Sequence, residues 1–178
     1  ANTSWQLLLT QVQEFGPAYA ALASEEAAEE LRPHLPSSCH LFSGPSAAAD
    51  LAAEAEYQIA VHGVVGAAGL PISECVLSRG LDLALANKES LVIAGAELTA
   101  LARESGSRIL PVDSEHSAIA ECLRGENLDR VRRVLLTASG GPLRLLSSEE
   151  LSSVTPEMAL KHPNWDMGPR ITVGSATL

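Results

Sequence analysis

The sequence predicts an α/β fold, a doubly wound parallel sheet with helices on both faces. Three observations carry this reading. Short apolar runs alternate with segments of helical periodicity. The apolar runs are continuous, as in strands buried on both sides, and several helical segments carry a cap or a glycine stop. With 178 residues, 46% of them hydrophobic, the chain suffices for one well-buried core or the adjoining parts of two domains.

The elements follow in order. The segment 5-WQLLLTQVQEFGPAYAAL-22 keeps helical spacing as far as Phe15 and breaks at Gly16-Pro17. In 24-SEEAAEELRPHL-35 the acids of the first turn and Arg32 near the end match the helix dipole. The run 39-CHLFSG-44 reads as a strand, and 45-PSAAADLAAEAE-56 as a helix with Pro45 at its first position. Then come 58-QIAVHGVVG-66 as a buried strand, 70-LPISECVLSRG-80 as a helix closed by Gly80, and 81-LDLALA-86 as a strand. The segment 88-KESLVIAGAELTALARESG-106 reads as a long helix and 107-SRILPV-112 as a strand. Beyond Asp113 the pattern changes to a helix through 116-HSAIAECLRG-125, a strand over residues 132–138, and a long polar passage to residue 169. A second, α+β element therefore starts near Pro111, which divides the chain into residues 1–110 and 111–178.

Charge and composition exclude some partners. A net charge of −10, with no Lys/Arg cluster interleaved with aromatics, repels a phosphate backbone, so no nucleic acid is expected. The apolar run 58-QIAVHGVVGAAGLPI-72 is broken by His62, glycines and Pro71 short of a membrane span, so no membrane is expected either. No export signal is visible, and Cys39, Cys75 and Cys122 are odd in number and widely spaced; a reducing, cytoplasmic location is expected.

In such sheets ligands bind outside the carboxyl ends of the strands. That gives three positions: Gly66-Ala67-Ala68-Gly69, Asn87-Lys88-Glu89-Ser90 and Asp113-Ser114-Glu115. Asp113 and Glu115, one residue apart, point to the same side of an extended strand end and suit one hard divalent ion; the same residues serve equally as a helix cap. His116 beside them is read as structural. Lys88 supplies a point charge for an anionic ligand, and Asn87 and Glu89 can hydrogen-bond a ribose or amide, against the plain alternative that Asn87 is a cap. Gly66–Gly69 lacks the full GxGxxG pattern, and close helix–strand packing alone explains it. Ser139-Gly140-Gly141-Pro142 offers a hydroxyl and backbone N–H groups to phosphate oxygens, or is an ordinary turn. In 162-HPNWDMG-168, Trp165 in a polar loop suggests a lid over a ligand, or an anchor for the loop.

Taken in order, 84-ALANKESLV-92, 110-LPVDSEHSAI-119, 137-TASGGP-142, 162-HPNWDMGPRITV-173 and 175-SATL-178 closely resemble the 1-deoxy-D-xylulose 5-phosphate reductoisomerase family, and 62-HGVVGAAGL-70 fits it too. The resemblance covers essentially the whole chain. It implies a Rossmann-like NADPH-binding domain over residues 1–110 that lacks its first strand, followed by the start of an α+β catalytic domain over 111–178. It further implies NADPH-dependent isomerisation and reduction of the phosphorylated sugar 1-deoxy-D-xylulose 5-phosphate to 2-C-methyl-D-erythritol 4-phosphate in the non-mevalonate isoprenoid pathway, assisted by Mg²⁺ or Mn²⁺, in a homodimer.

Carried over by position, the resemblance makes Asp113 and Glu115 metal ligands and Lys88, Glu115 and His162 catalytic. Lys88, Ser114, Ser139, His162, Trp165 and Ser175 become substrate contacts, Ser139 and Ser175 at the phosphate end; Asn87, Glu89 and Gly168 become cofactor contacts. The chain departs from the family in starting after its glycine-rich GxTGxxG turn and stopping before its Asn-Lys-Gly-Leu-Glu segment, with Gly174 in place of the usual Asp and Leu143 in place of Phe. An interior fragment without turnover of its own is therefore expected. The alternative is a non-catalytic remnant that binds a phosphorylated metabolite or a partner subunit.

Overall fold

The computed structural model describes residues 1–137, 140–166 and 168–175. Two compact units divide the chain, Ala1–Glu126 and Asn127–Leu178.

The first unit is built from α1 (Trp5–Phe15), β1 (Tyr19–Leu22), α2 (Glu25–Leu31), β2 (His40–Ser43), α3 (Ala47–Glu54), β3 (Ile59–His62), α4 (Leu70–Ser78), β4 (Asp82–Leu85), α5 (Lys88–Ser105), β5 (Ile109–Pro111) and α6 (Ser114–Leu123). The mixed α/β class with parallel strands is as the sequence predicts. Short 3₁₀ turns at Arg32–His34 and Ala67–Gly69 precede β2 and α4. The predicted cap of α2 is present: the Ser24 side chain accepts from the Ala27 N–H at 3.2 Å, and Glu25 and Glu26 occupy the first turn.

The strands form two parallel sheets. β1 pairs with β2 from Tyr19↔His40 to Leu22↔Ser43. β4 is central in the other sheet, with Ile59↔Asp82 on one side and Leu83↔Ile109 on the other. Each sheet has its own core. Val12, Ala20, Leu22, Leu31 and Leu41 pack with α1 and α2, while Val76, Leu77, Leu83, Leu85 and Leu98 pack with α4 and α5. The Arg108 Nε bonds both Asp82 carboxylate oxygens at 3.1 Å, joining the N-terminal ends of β4 and β5.

Two expectations are corrected and one strand is added. The first helix ends at Gly16-Pro17 as expected; beyond it Tyr19–Leu22, assigned to no element in the sequence, is a strand, because Gly16 at φ 59° ends α1 and Pro17 releases the chain into extended backbone. β3, read as a buried strand over 58–66, runs only from Ile59 to His62, and its Ile59 and Val61 are 47% and 77% exposed. It pairs with β4 along one edge and has no partner strand along the other among the described residues. Of the strand expected over residues 132–138, residues 132–137 carry no regular structure, with Leu135 and Leu136 exposed, and residue 138 lies outside the described residues. A strand needs a ladder partner, and the second unit holds no strand among its described residues.

α5 is interrupted at Ala94, whose φ −139° and ψ 38° lie outside the helical region. The free edge of β3 borders a slot of about 330 Å³ whose other walls include Ala21 of β1 and Leu51 of α3. In the second unit, α7 (Ser148–Leu151) opens on a capping box of Ser147 and Glu150, and α8 (Pro156–Ala159) and α9 (Pro169–Ser175) follow. Among the described residues no helix is long and apolar enough to cross a membrane.

Candidate functional site at the carboxyl ends of β3, β4 and β5

The register of the second sheet brings three chain crossings together. β3 ends at His62, β4 at Leu85 and β5 at Pro111, so the segments after them emerge side by side. Backbone bonds continue the pairing: the Ala86 and Asn87 N–H groups donate to the His62 carbonyl at 2.9 and 3.2 Å, and the Val112 N–H donates to the Leu85 carbonyl at 3.1 Å.

The charged centre of this end is Lys88. It is the first residue of α5, and its ammonium lies 3.0 Å from Asp113 Oδ2. The hydrogen bond to Asp113 raises the Lys88 pKa from its ordinary value; burial opposes this, and the charges of Asp113, Glu115 and Glu89 reinforce it. Lys88 is therefore a fixed cation at neutral pH.

Asp113 and Glu115 are not on an extended strand end. Asp113 is the N-cap of α6 and accepts from the Ser114 N–H at 3.0 Å, and Glu115 sits in the first helical turn. The expected same-side geometry of alternating strand residues therefore fails; the cap is real. Both carboxylates nevertheless act on Lys88, because β5 ends beside the start of α5. The Ser114 hydroxyl donates to Glu115 Oε2 at 2.8 Å. His116, read as structural, is an exposed residue of α6.

The residues fit a hard divalent ion. One Asp113 oxygen already faces a cation, the Lys88 ammonium, and Glu115 supplies a second hard oxygen donor. No cluster of three or more His, Cys, Asp or Glu ligands occurs among the described residues. Such a two-carboxylate set matches Mg²⁺, which keeps water or ligand oxygens in its other positions.

Asn87 is 2% exposed and engaged on all sides. Its Nδ2 bonds the Val64 carbonyl at 2.6 Å, the Gly66 carbonyl at 3.0 Å and Glu89 Oε2 at 3.2 Å. Its Oδ1 caps α5 by accepting from the Ser90 N–H at 3.0 Å and also takes the Ser90 hydroxyl. Glu89 Oε1 accepts from the Gly66 N–H at 3.2 Å. Asn87 and Glu89 thus hold the loop after β3.

That loop is the part of the site that the sequence reading undervalued. Gly66 turns at φ 83°, and a Cβ on Gly69 would stand 2.7 Å from His62 Nε2 and from Asn87 Cγ and Oδ1. Close packing explains Gly69, as expected, but its neighbours are polar. The available signal was His62, a titratable residue at the end of an apolar strand.

The second unit holds the remaining candidates. His162 Nδ1 accepts from the Asn164 and Trp165 N–H groups at 3.3 and 3.2 Å, and the two rings meet edge to face with centroids 6.3 Å apart. Trp165 is 64% exposed. The Gly168 carbonyl accepts from the Ile171 and Thr172 N–H groups in the first turn of α9. Gly140 and Gly141 turn at φ 73° and 61°, whereas Ser139 and the side chain of Ser175 lie outside what is described.

Comparison with known proteins places this geometry. Residues 1–95 match the family 1-deoxy-D-xylulose 5-phosphate reductoisomerase, and residues 109–178 match its C-terminal domain. The reductoisomerase of Anaeromyxobacter dehalogenans is 46% identical over 171 residues, covering 96% of this chain and 44% of the relative; that of Clostridium perfringens is 44% identical over 181 residues, covering 100% and 47%. The reductoisomerase of Zymomonas mobilis, solved with NADPH, superposes with a TM-score of 0.88 at 37% identity over 99% of this chain and 45% of its own. A reductoisomerase solved with NADPH, fosmidomycin and magnesium superposes with a TM-score of 0.83 at 31% identity, covering 99% and 46%. The chain spans less than half the length of these relatives. The family matches, the sequence identities and the superposed fold agree: the chain belongs to the 1-deoxy-D-xylulose 5-phosphate reductoisomerase family.

Proposed function

We propose that this chain is the central part of an NADPH-dependent reductoisomerase that converts 1-deoxy-D-xylulose 5-phosphate to 2-C-methyl-D-erythritol 4-phosphate with a divalent ion, Mg²⁺ or Mn²⁺. The observation that carries the reading is the Lys88–Asp113 pair with Glu115 beside it, at the carboxyl ends of the parallel strands. Relatives solved with NADPH and with magnesium support it.

In this reading Asp113 and Glu115 hold the ion, which supplies Lewis-acid polarisation of substrate oxygens. Lys88, kept protonated by its carboxylate neighbours, orients an anionic oxygen next to them. The Ser114 hydroxyl holds Glu115 and contacts substrate. Glu89 and Asn87 serve the cofactor, Glu89 through its carboxylate and Asn87 by fixing the loop carbonyls of Val64 and Gly66. Gly168 is a further cofactor position. His162 is a catalytic and substrate position, Trp165 closes over substrate, and Ser139 and Ser175 take the phosphate end.

Residues 1–110 form the partial NADPH-binding domain and residues 111–178 the start of the catalytic domain. The NADPH domain lacks its first strand, and the slot beside β3 supports that view. The working protein is a cytoplasmic homodimer.

The test is a chimera in which residues 1–178 replace the matching segment of the Zymomonas enzyme. Turnover of 1-deoxy-D-xylulose 5-phosphate with NADPH and Mg²⁺ is expected, and Asp113→Ala should lower kcat/KM by about 10²-fold or more, since it removes a ligand. A folded chimera with no turnover, or an unaffected Asp113→Ala variant, defeats the reading. Substrate binding without turnover would favour the non-catalytic alternative.

A further inference from the structure

His62 is a buried titratable side chain with no part in the Lys88–carboxylate cluster. It ends β3 and is 3% exposed. Its Nδ1 accepts from the Val64 N–H at 3.4 Å, so this nitrogen carries no proton. Its Nε2 lies 3.0 Å from the Gly69 carbonyl and must be the donor. One ring therefore spans the loop from its second residue to its last. Burial also holds the imidazole pKa below its ordinary value of 6.5, which favours the neutral form this arrangement needs.

The loop is also gripped by Asn87, whose Nδ2 bonds the Val64 and Gly66 carbonyls. The hypothetical Cβ at Gly69, 2.7 Å from atoms of both His62 and Asn87, shows how tightly the two grips meet. With the loop so fixed, the Gly66 N–H is presented to Glu89 Oε1 at 3.2 Å. His62 bonds the loop at Val64 and Gly69, and Gly66 between them bonds Glu89, so the loop backbone connects the imidazole to the Glu89 carboxylate.

We propose that His62 is a positioning residue: as the neutral Nε2–H imidazole it latches residues 63–69 and thereby sets the Glu89 carboxylate for the cofactor. The latch stands on the geometry alone; the cofactor role rests on the proposed function.

Three variants separate the arms. His62→Gln keeps an N–H donor where Nε2 stands, His62→Asn keeps an acceptor where Nδ1 stands, and His62→Ala keeps neither. Amide hydrogen exchange and imidazole nitrogen shifts are read by NMR on the full 178-residue chain. The expected results are an Nε2–H tautomer at neutral pH and exchange at Val64 and Gly66 about three- to tenfold faster in His62→Ala, as for one or two lost hydrogen bonds. Protection at Val64 should return in His62→Asn. An Nδ1–H tautomer, or unchanged exchange in a folded His62→Ala chain, overturns the latch. Should His62→Ala not fold, the Gln and Asn variants decide: loss confined to one arm in each supports the latch, and loss in neither or uniform loss in both sinks it.

In the chimera described above, His62→Ala should raise KM for NADPH by a larger factor than it lowers kcat, with recovery in His62→Gln. An unchanged KM beside a loosened loop removes the cofactor role. A parent chimera without turnover defeats the proposed function instead, and the exchange data still judge the latch.

Discussion

The Lys88 ammonium stands among carboxylates from two places in the chain: Glu89 from its own helix, and Asp113 and Glu115 from the start of α6. Its pKa is raised in the fold, so its pair with Asp113 stabilises the folded chain below the ordinary lysine value and is lost as pH rises through the folded value. Asp113→Asn removes the leading cause of that shift. The Lys88 pKa should then fall back toward 10.5, read from side-chain NMR titration, and an unmoved titration would mean that Asp113 is not its partner.

His62 has the opposite sign. Its folded pKa is lowered by burial, so between that value and 6.5 the unfolded chain binds the extra proton. Stability at this residue is intact above 6.5 and declines as pH falls below it. Urea midpoints between pH 7 and 5 should drop more in the wild type than in His62→Gln; equal slopes would show that His62 does not ionise differentially.

Among the elements, β4 carries the second sheet. It is paired on both edges, and Leu83, fully buried, packs against α4 and α5. Leu83→Ala should cost about 2–5 kcal/mol, measured by chemical denaturation. The exposed Val61 on β3 gives the contrast: Val61→Ala should stay within about 0.5 kcal/mol, as for a surface position. Comparable losses at both positions would contradict the burial. The reading of β3 as a buried strand failed because an apolar run states what a strand is suited to, not which neighbours it has.

For the first unit as a whole, the two sheets leave β3 with one edge that has no partner strand among the described residues, the Ala1 ammonium donates to the Ala21 carbonyl near the end of β1 at 2.8 Å, and the slot beside β3 also touches β1. The slot is lined largely by apolar side chains, including Ala21, Ile59, Val61 and Ile72. An apolar strand fused ahead of Ala1 should occupy it, raise the melting temperature and protect the β3 amides from exchange. A fused strand that leaves both unchanged would count against the missing-strand proposal.

Much of this protein was legible in its sequence. Apart from β1, the order of helices and parallel strands follows from periodicity, from Ser24 as a helix start and from Gly16 as a stop, because those signals are local and act within a few residues. The motifs around Lys88 and Asp113 were also readable, since strand ends are where such sheets bind ligands. Tertiary structure alone decided that Asp113 caps a helix and still reaches Lys88, because that contact depends on the register of β4 against β5. It alone placed His62 against Gly69 and beside Asn87, and left residues 132–137 without a strand, because a hydrogen-bond partner distant in sequence exists only once the chain has folded.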